Sequence, residues 1–309
     1  MKKAMRVLLA GFLACAALCG CGKETSGRTP VTLYEVAHSI FYAPQYAAIE
    51  LGYFQEEGID LTLVNGAGAD KVMTAMLAGD ADIGFMGSEA SIYTYVQGAE
   101  DYAVNFAQLT QRAGNFLVAR QPDPDFTWQK LKGSRVLGGR AGGMPQMVFE
   151  YILKKNGIDP KADLTMDQSI QFGLTAAAFT SDQSDYTVEF EPFATGLELE
   201  GNGYVVASLG TDSGYVPYTA YCAKKSYLAM HPDLIQRFTS ALQKGMDYVN
   251  SHTAEEIAKT IQPQFSDTPL ENITKIVKRY QDQDTWKENL IFERSSFELL
   301  ENILEEAGE

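Results

Sequence analysis

The 309-residue chain has only four cysteines, three histidines and two tryptophans. Cys15, Cys19 and Cys21 stand at the very start, so Cys222 alone is left in the body and no disulfide can form within it. His38, His231 and His252 are scattered, which suggests no metal triad. Trp128 and Trp286 fall outside the cleft deduced below, so the aromatic platforms of a sugar-cleaving site are missing. Basic residues are outnumbered, 25 against 40 acidic, for a net charge of −15. Without a basic stripe or an aromatic–arginine platform, such a surface excludes nucleic acid as a partner. There is no Gly-x-Ser-x-Gly elbow and no phosphate-loop Gly-Lys-Ser/Thr, and Gly66-Ala67-Gly68 meets Lys71 where a dinucleotide fingerprint requires glycine. Neither a catalytic residue, a metal nor a cofactor is therefore expected. Low-complexity tracts are absent as well.

What is present begins at the N-terminus. Lys2, Lys3 and Arg6 precede an apolar or small-residue run from Val7 to Leu18, closed by Leu18-Cys19-Gly20-Cys21. The run is too short to span a bilayer permanently, so residues 1–20 read as a cleaved lipoprotein export signal. Cys21 then becomes the lipidated N-terminus, carrying a palmitate-type acyl anchor. An uncleaved N-terminal anchor is the alternative; either way the body is held at the cell membrane, facing outside the cytoplasm. Residues 21–30 are small, polar and breaker-rich, as a flexible tether requires. Loss of the signal takes the 25 basic residues to 22 against 40 acidic ones, a net charge of −18.

Beyond the tether, short apolar runs alternate with helical patterns, the signature of α/β units with mainly parallel sheets flanked by helices. The mature length exceeds what one core usually carries, so two lobes are expected. One unit occurs twice. Strand Val31–Val36 leads through a loop to Pro44-Gln45 at a helix start; Arg135–Leu137 leads through a glycine-rich loop to Pro145-Gln146, 101 residues later. Asp82 and Asp185 stand in matching turn–strand segments 103 residues apart. The expected division is residues 31–117 plus 224–309 in lobe I and 118–223 in lobe II. Paired hinge strands near 116–119 and 218–223 would cross between them, and the C-terminal helices would close over the first lobe.

In open α/β sheets a ligand lies beyond the carboxyl ends of the strands, where helix N-termini offer free N–H groups. Two such ends facing each other make one cleft. Its expected lining from the first lobe is His38, Ser39, Phe41, Tyr42 and Tyr46, then Asn65 with Gly66 and Gly68, then Gly87, Ser88 and Glu89. The second lobe adds Arg140, Gly142, Gly143, Met144 and Gln146, together with Glu189 and Glu191, and Tyr218 completes the set at the crossover. Several of these residues carry a structural alternative. Tyr42 and Tyr46 fit a core face, Glu191 a helix cap, and Arg140 an ion pair across the lobes; Glu189 points away from the cleft if Glu191 points in. Cys222 reads as an inert buried thiol.

The lipoprotein signal, Ser39-Ile40-Phe41-Tyr42-Ala43-Pro44, Leu51-Gly52-Tyr53-Phe54, Leu77-Ala78-Gly79-Asp80-Ala81-Asp82-Ile83, Leu131-Lys132-Gly133 and Glu191-Pro192 come in an order and spacing that resemble one family. It comprises the substrate-binding lipoproteins of ABC importers for nitrate, alkanesulfonates, taurine and thiamine pyrimidine precursors. The resemblance covers essentially the whole mature chain. It implies a type II periplasmic-binding-protein-like clamp, monomeric, that closes on a small molecule and delivers it to a permease driven by a cytoplasmic ATPase. Sulfonate or nitrate would need anion donors, for which Arg140, Arg112 and the helix start after Gly143 are candidates. A pyrimidine would need aromatic walls and an acid, for which Phe41, Tyr42, Tyr46, Glu89 and Glu191 are candidates. The acids favour a nitrogen-rich, neutral or cationic ligand. The resemblance extends to a pyrimidine synthase with a pyridoxal-phosphate lysine, a nearby histidine and a cysteine-rich iron segment. Here Met86 and Ala90 stand at about the first two places and Cys222 is alone in the third, so a binding protein rather than an enzyme is expected.

Overall fold

In the computed structural model, residues 27–308 apart from 172 and 182 are described. The export signal, Cys21 and most of the tether lie outside the described residues. Among the described residues ten strands form two five-stranded sheets. The first contains β1 (Thr29–Glu35), β2 (Ile59–Asn65), β3 (Ile83–Gly87), β4 (Ala103–Thr110) and β10 (Thr219–Lys224), in the order β2-β1-β3-β10-β4. The second contains β5 (Phe116–Ala119), β6 (Arg135–Leu137), β7 (Thr165–Asp167), β8 (Tyr186–Glu189) and β9 (Tyr204–Ser208), in the order β7-β6-β8-β5-β9. Within each sheet three strands pair parallel, and the fourth in order runs antiparallel to both neighbours. Each lobe is thus an α/β layer built around a mainly parallel sheet.

The two sheets have one topology, and the internal repeat survives at the level of single hydrogen bonds. Asp82 accepts from the Thr32 amide at 2.8 Å, and Asp185 accepts from the Arg135 amide at 2.9 Å. Both members of the second pair are displaced from the first by 103 residues, the offset legible in the sequence. Backbone bonds return from Asp82 N to Thr32 O and from Asp185 N to Arg135 O. Each aspartate therefore clips the start of the third strand of its half to the first.

The crossovers differ from the expected paired strands. Phe116–Ala119 and Thr219–Lys224 do not pair with each other: β5 lies between β8 and β9, and β10 lies between β3 and β4. Both are buried along almost their whole length, and a strand apolar on both faces is stable only inside a sheet. Residues 116–119 thus belong with the second sheet and 219–223 with the first, so the connections that cross are 111–115 and 209–218. The expected tether also ends early, because Thr29 already donates its amide to Gly58 O at 2.8 Å.

Helices Pro232–Ser251 and Ala254–Ile261 cover the first lobe, packing on helix Ala43–Glu50. The approach is close enough to require glycine. A Cβ on Gly245 would fall against Pro44 O and lie 2.9 Å from Ala48 Cβ. Gly245→Ala, which in an open helix gains up to about 1 kcal/mol, is therefore expected to destabilise the protein by about 2 kcal/mol. Urea unfolding measures it, and a stabilised variant would disprove the close contact. The last helix, Arg294–Ala307, does not cover the first lobe as expected. Its apolar face (Leu300, Ile303 and Leu304) packs on helix Met144–Lys155 of the second lobe, where Lys154 Nζ donates to Glu306 O.

Candidate functional site

A cavity of about 440 Å³ lies between the carboxyl ends of the two sheets. From the first lobe, Tyr42, Gly68, Asp70, Met73, Gly87, Glu89, Ala90 and Tyr93 form its wall. From the second come Arg140, Gly142, Gly143, Met144, Ile170, Thr175, Val188, Glu189, Phe190 and Phe193; the crossovers supply Asn115 and Tyr218, and Thr219 starts β10 beside them. Of the residues expected from the sequence, the structure thus brings together Tyr42, Gly68, Gly87, Glu89, Arg140, Gly142, Gly143, Met144, Glu189 and Tyr218.

The others serve elsewhere. His38 and Tyr46 belong to a polar network around Glu35, a carboxylate buried in β1. His38 Nδ1 lies 2.7 Å from Glu35 Oε1, and Gln45 Nε2 and the Tyr46 hydroxyl each donate to Oε2 at 2.8 Å. The far side of the His38 ring bonds Gln264 O at 2.9 Å. Burial opposes protonation of this imidazole, but the hydrogen bond to Glu35 outweighs it with the help of the Gln264 carbonyl, and the pKa is raised. Any stability drawn from that shift is present below the ordinary histidine value and lost as pH rises through the raised one.

Ser39 ties the lobes together rather than a ligand: its hydroxyl donates to Glu191 O at 2.8 Å and caps the turn Ile40–Tyr42. Phe41 is fully buried behind the wall, ringed by Tyr42, Phe190, Tyr218 and Tyr280. Asn65 closes an exposed turn through the Ala67 amide, and the Ser88 hydroxyl is spent on Pro217 O. Gln146 Oε1 accepts from the Gly142 amide, and its Nε2 donates to Glu150. Arg112 stacks over Tyr215 and donates to Gly210 O at 3.0 Å, away from the cavity.

Of the two acids expected from the second lobe, one reaches the cavity. Glu191 is wholly buried and faces helix Leu270–Asp282, where Arg279 Nη1 pairs with it and Arg279 Nη2 reaches Glu198 at 2.8 Å. Thr195 adds its amide and hydroxyl, both at 2.9 Å. Glu191 is thus a structural junction and helix cap. Glu189 lines the cavity, and its partners lie within its own lobe: its oxygens accept from Thr187 Oγ1 at 2.6 Å and Thr175 Oγ1 at 2.9 Å.

Burial sets the electrostatics of the wall. Glu89 is 3% exposed and Glu189 1%. Desolvation pushes each carboxyl up to about 7, against one compensating hydrogen bond from the Glu89 backbone and two from the threonines at Glu189. Burial also keeps the Tyr42 and Tyr218 hydroxyls protonated far above their usual range, with Glu89 adding to the effect. Tyr218 donates to Asn115 Oδ1 at 2.5 Å. Among the lining residues Arg140 is the single basic side chain. It bridges the lobes to Asp70 at 2.9 Å, holding that carboxyl below its usual range, but the pair is 43% and 55% exposed. Such a pair is worth less than about 1 kcal/mol.

No lysine or histidine lines the cavity among the described residues, so the wall does not fit a covalently held pyridoxal phosphate. Met86 is buried in β3, and Ala90 is part of the wall. No cluster of metal-ligating side chains occurs among the described residues, and no described helix is long and apolar enough to cross a membrane. Cys222 is buried against Met76, its thiol pushed up to about 12 by desolvation. Trp128 and Trp286 lie off the cavity, Trp286 donating to Phe41 O at 2.8 Å in the interlobe core.

Two like sheets facing each other across a cavity at their carboxyl ends define a two-lobe clamp of the periplasmic-binding-protein fold. Residues 40–256 match the family model described as NMT1/THI5 like, and the chain belongs to that family. It is 44% identical over 293 residues to the "Putative binding protein YtlA" of Bacillus subtilis (strain 168), a match covering 95% of this chain and 87% of that one. It is 25% identical to 4-amino-5-hydroxymethyl-2-methylpyrimidine phosphate synthase of Legionella pneumophila, over 74% of this chain and 72% of the relative. Among solved structures it is similar to the alkanesulfonate-binding protein SsuA from Xanthomonas axonopodis bound to MOPS. The TM-score is 0.68 at 17% identity, with 90% and 91% of the two chains covered.

Proposed function

We propose that the protein is the extracytoplasmic solute-binding component of an ABC importer, anchored through Cys21. It captures a small nitrogen-rich, neutral or cationic molecule between its lobes and hands it to a permease. The observation that carries this reading is the interlobe cavity itself: both sheets supply its wall, and each contributes one buried carboxyl, Glu89 and Glu189. A ligand touching both lobes stabilises their closed arrangement by its differential contacts, with no covalent chemistry. The sulfonate or nitrate alternative rests on similarity of fold; its donors on the wall would be the helix start after Gly143 and Arg140, which Asp70 already neutralises. The Glu35 network, the Ser39–Glu191 link and the Arg279 junction hold the frame around the cavity.

A thermal-shift screen of residues 22–309 against thiamine pyrimidine precursors, amines, taurine, alkanesulfonates and nitrate tests the reading. Binding to the native state must raise the melting temperature by mass action. A saturating shift with one nitrogenous class is the expected result. A saturating shift with sulfonates alone would replace the ligand assignment.

A further inference from the structure

We infer that the ligand is a doubly basic organic cation, one nitrogen held by each lobe, with Glu89 and Glu189 as the two receptors. This rests on the solute-binding reading above and deepens it to a class of ligand. Glu89 follows β3 and Glu189 ends β8, the equivalent third strands of the two repeated halves. At the 103-residue offset Glu189 matches Met86, so the two acids are not equivalent positions of the repeat, but each half sends one acid from the end of its third strand to a single cavity.

The charge balance of the wall points the same way. Its acids are Asp70, Glu89 and Glu189, and its single base, Arg140, is committed to Asp70. Two negative charges are left when both glutamates ionise. A ligand with two positive ends neutralises them; one with a single charge leaves a buried carboxylate unpaired.

The hydrogen bonding of each acid completes the case. Glu89 Oε2 is buried with no donor, and a side chain on Gly87 would collide with this carboxyl, so glycine there seats it. Its other support is its own backbone. No described group of the protein donates to Oε2, which leaves that oxygen open to a donor supplied by a ligand. Glu189 already accepts from two hydroxyls, which favours its ionised form and leaves its remaining lone pairs for a second donor. Tyr42, Met73, Tyr93 and Phe190 line the same cavity and give it an apolar wall for a carbon chain.

The test is titration calorimetry of residues 22–309 at pH 8 with 1,4-diaminobutane, 1,5-diaminopentane, butylamine and butanesulfonate, on the wild type, Glu89→Gln and Glu189→Gln. Melting curves confirm that both variants fold. A diamine is expected to bind at least 10-fold more tightly than butylamine, and each variant to weaken it at least 10-fold. Equal affinity for diamine and monoamine, or a variant with unchanged diamine affinity, overturns the inference. Saturable binding of butanesulfonate, with diamines inert, also overturns it and leaves the solute-binding function standing. Silence toward every solute overturns both.

Discussion

Glu191→Ala is expected to lower the stability of the protein by about 3 kcal/mol, near the low end for breaking a buried ion pair. The substitution strands Arg279, itself only 19% exposed along its side chain, and removes the acceptor for the amide and hydroxyl of Thr195. Glu198 remains to hold the other guanidinium nitrogen, which keeps the loss from being larger. For a chain of this length the melting temperature should fall by roughly 5–10 °C. Urea unfolding should show a lower midpoint with an unchanged slope. Affinity for the ligand should change far less, because Glu191 is not on the cavity wall. Unchanged stability with lost affinity would return Glu191 to the binding site, where its position before Pro192 suggested it.

The second large effect is expected from the pair Glu89→Gln and Glu189→Gln. Removing two charged hydrogen bonds at about 1.5–3 kcal/mol each should weaken a cationic ligand by about 100-fold or more. The same pair governs pH dependence. Both carboxyls titrate near 7 in the empty cavity, well above their ordinary range. A raised carboxyl pKa means that the folded state binds protons more tightly than the unfolded state. The ligand-free protein should therefore lose stability as pH rises from about 4.5 to about 7. Glutamine mimics the neutral acid, so the double variant should lose less over that interval and melt higher than the wild type at pH 8. A cationic ligand should bind more tightly as pH rises through 7 and release protons on binding. Calorimetry in buffers of different ionisation enthalpy reads those protons. Affinity flat from pH 5 to pH 8 would show that neither acid meets the ligand.

Much of the frame was legible because its signals are local. The alternation of apolar runs and helices, the repeated strand–loop–proline pattern and the aspartates 103 residues apart all have direct counterparts in the two sheets. The cleft followed from where strands end, which placed Tyr42, Glu89, Arg140 and Gly142–Met144 on its wall. His38 and Tyr46 were misplaced because their partner is an acid inside a strand, and only the fold shows that Glu35 points inward. Alternation would put Glu189 and Glu191, two residues apart, on one face, and it stops being a guide where the strand ends. β8 stops at Glu189, and the chain turns before Glu191. Asn115, Tyr93 and Thr175 come from separate segments without a local signature and are united by the fold alone. The last helix showed in its sequence that one face is apolar, but not which lobe would receive that face.

The claim that the interlobe cavity is the ligand site is tested most directly by closing it. Ala90 lies on the wall, at the start of the helix Glu89–Val96, and a tryptophan there projects into the space. Titration calorimetry of the solute that gives a saturating thermal shift should show one site per chain in the wild type and no measurable binding in Ala90→Trp, with both proteins folded. Equal affinity and stoichiometry in the two would place the ligand elsewhere and contradict the account.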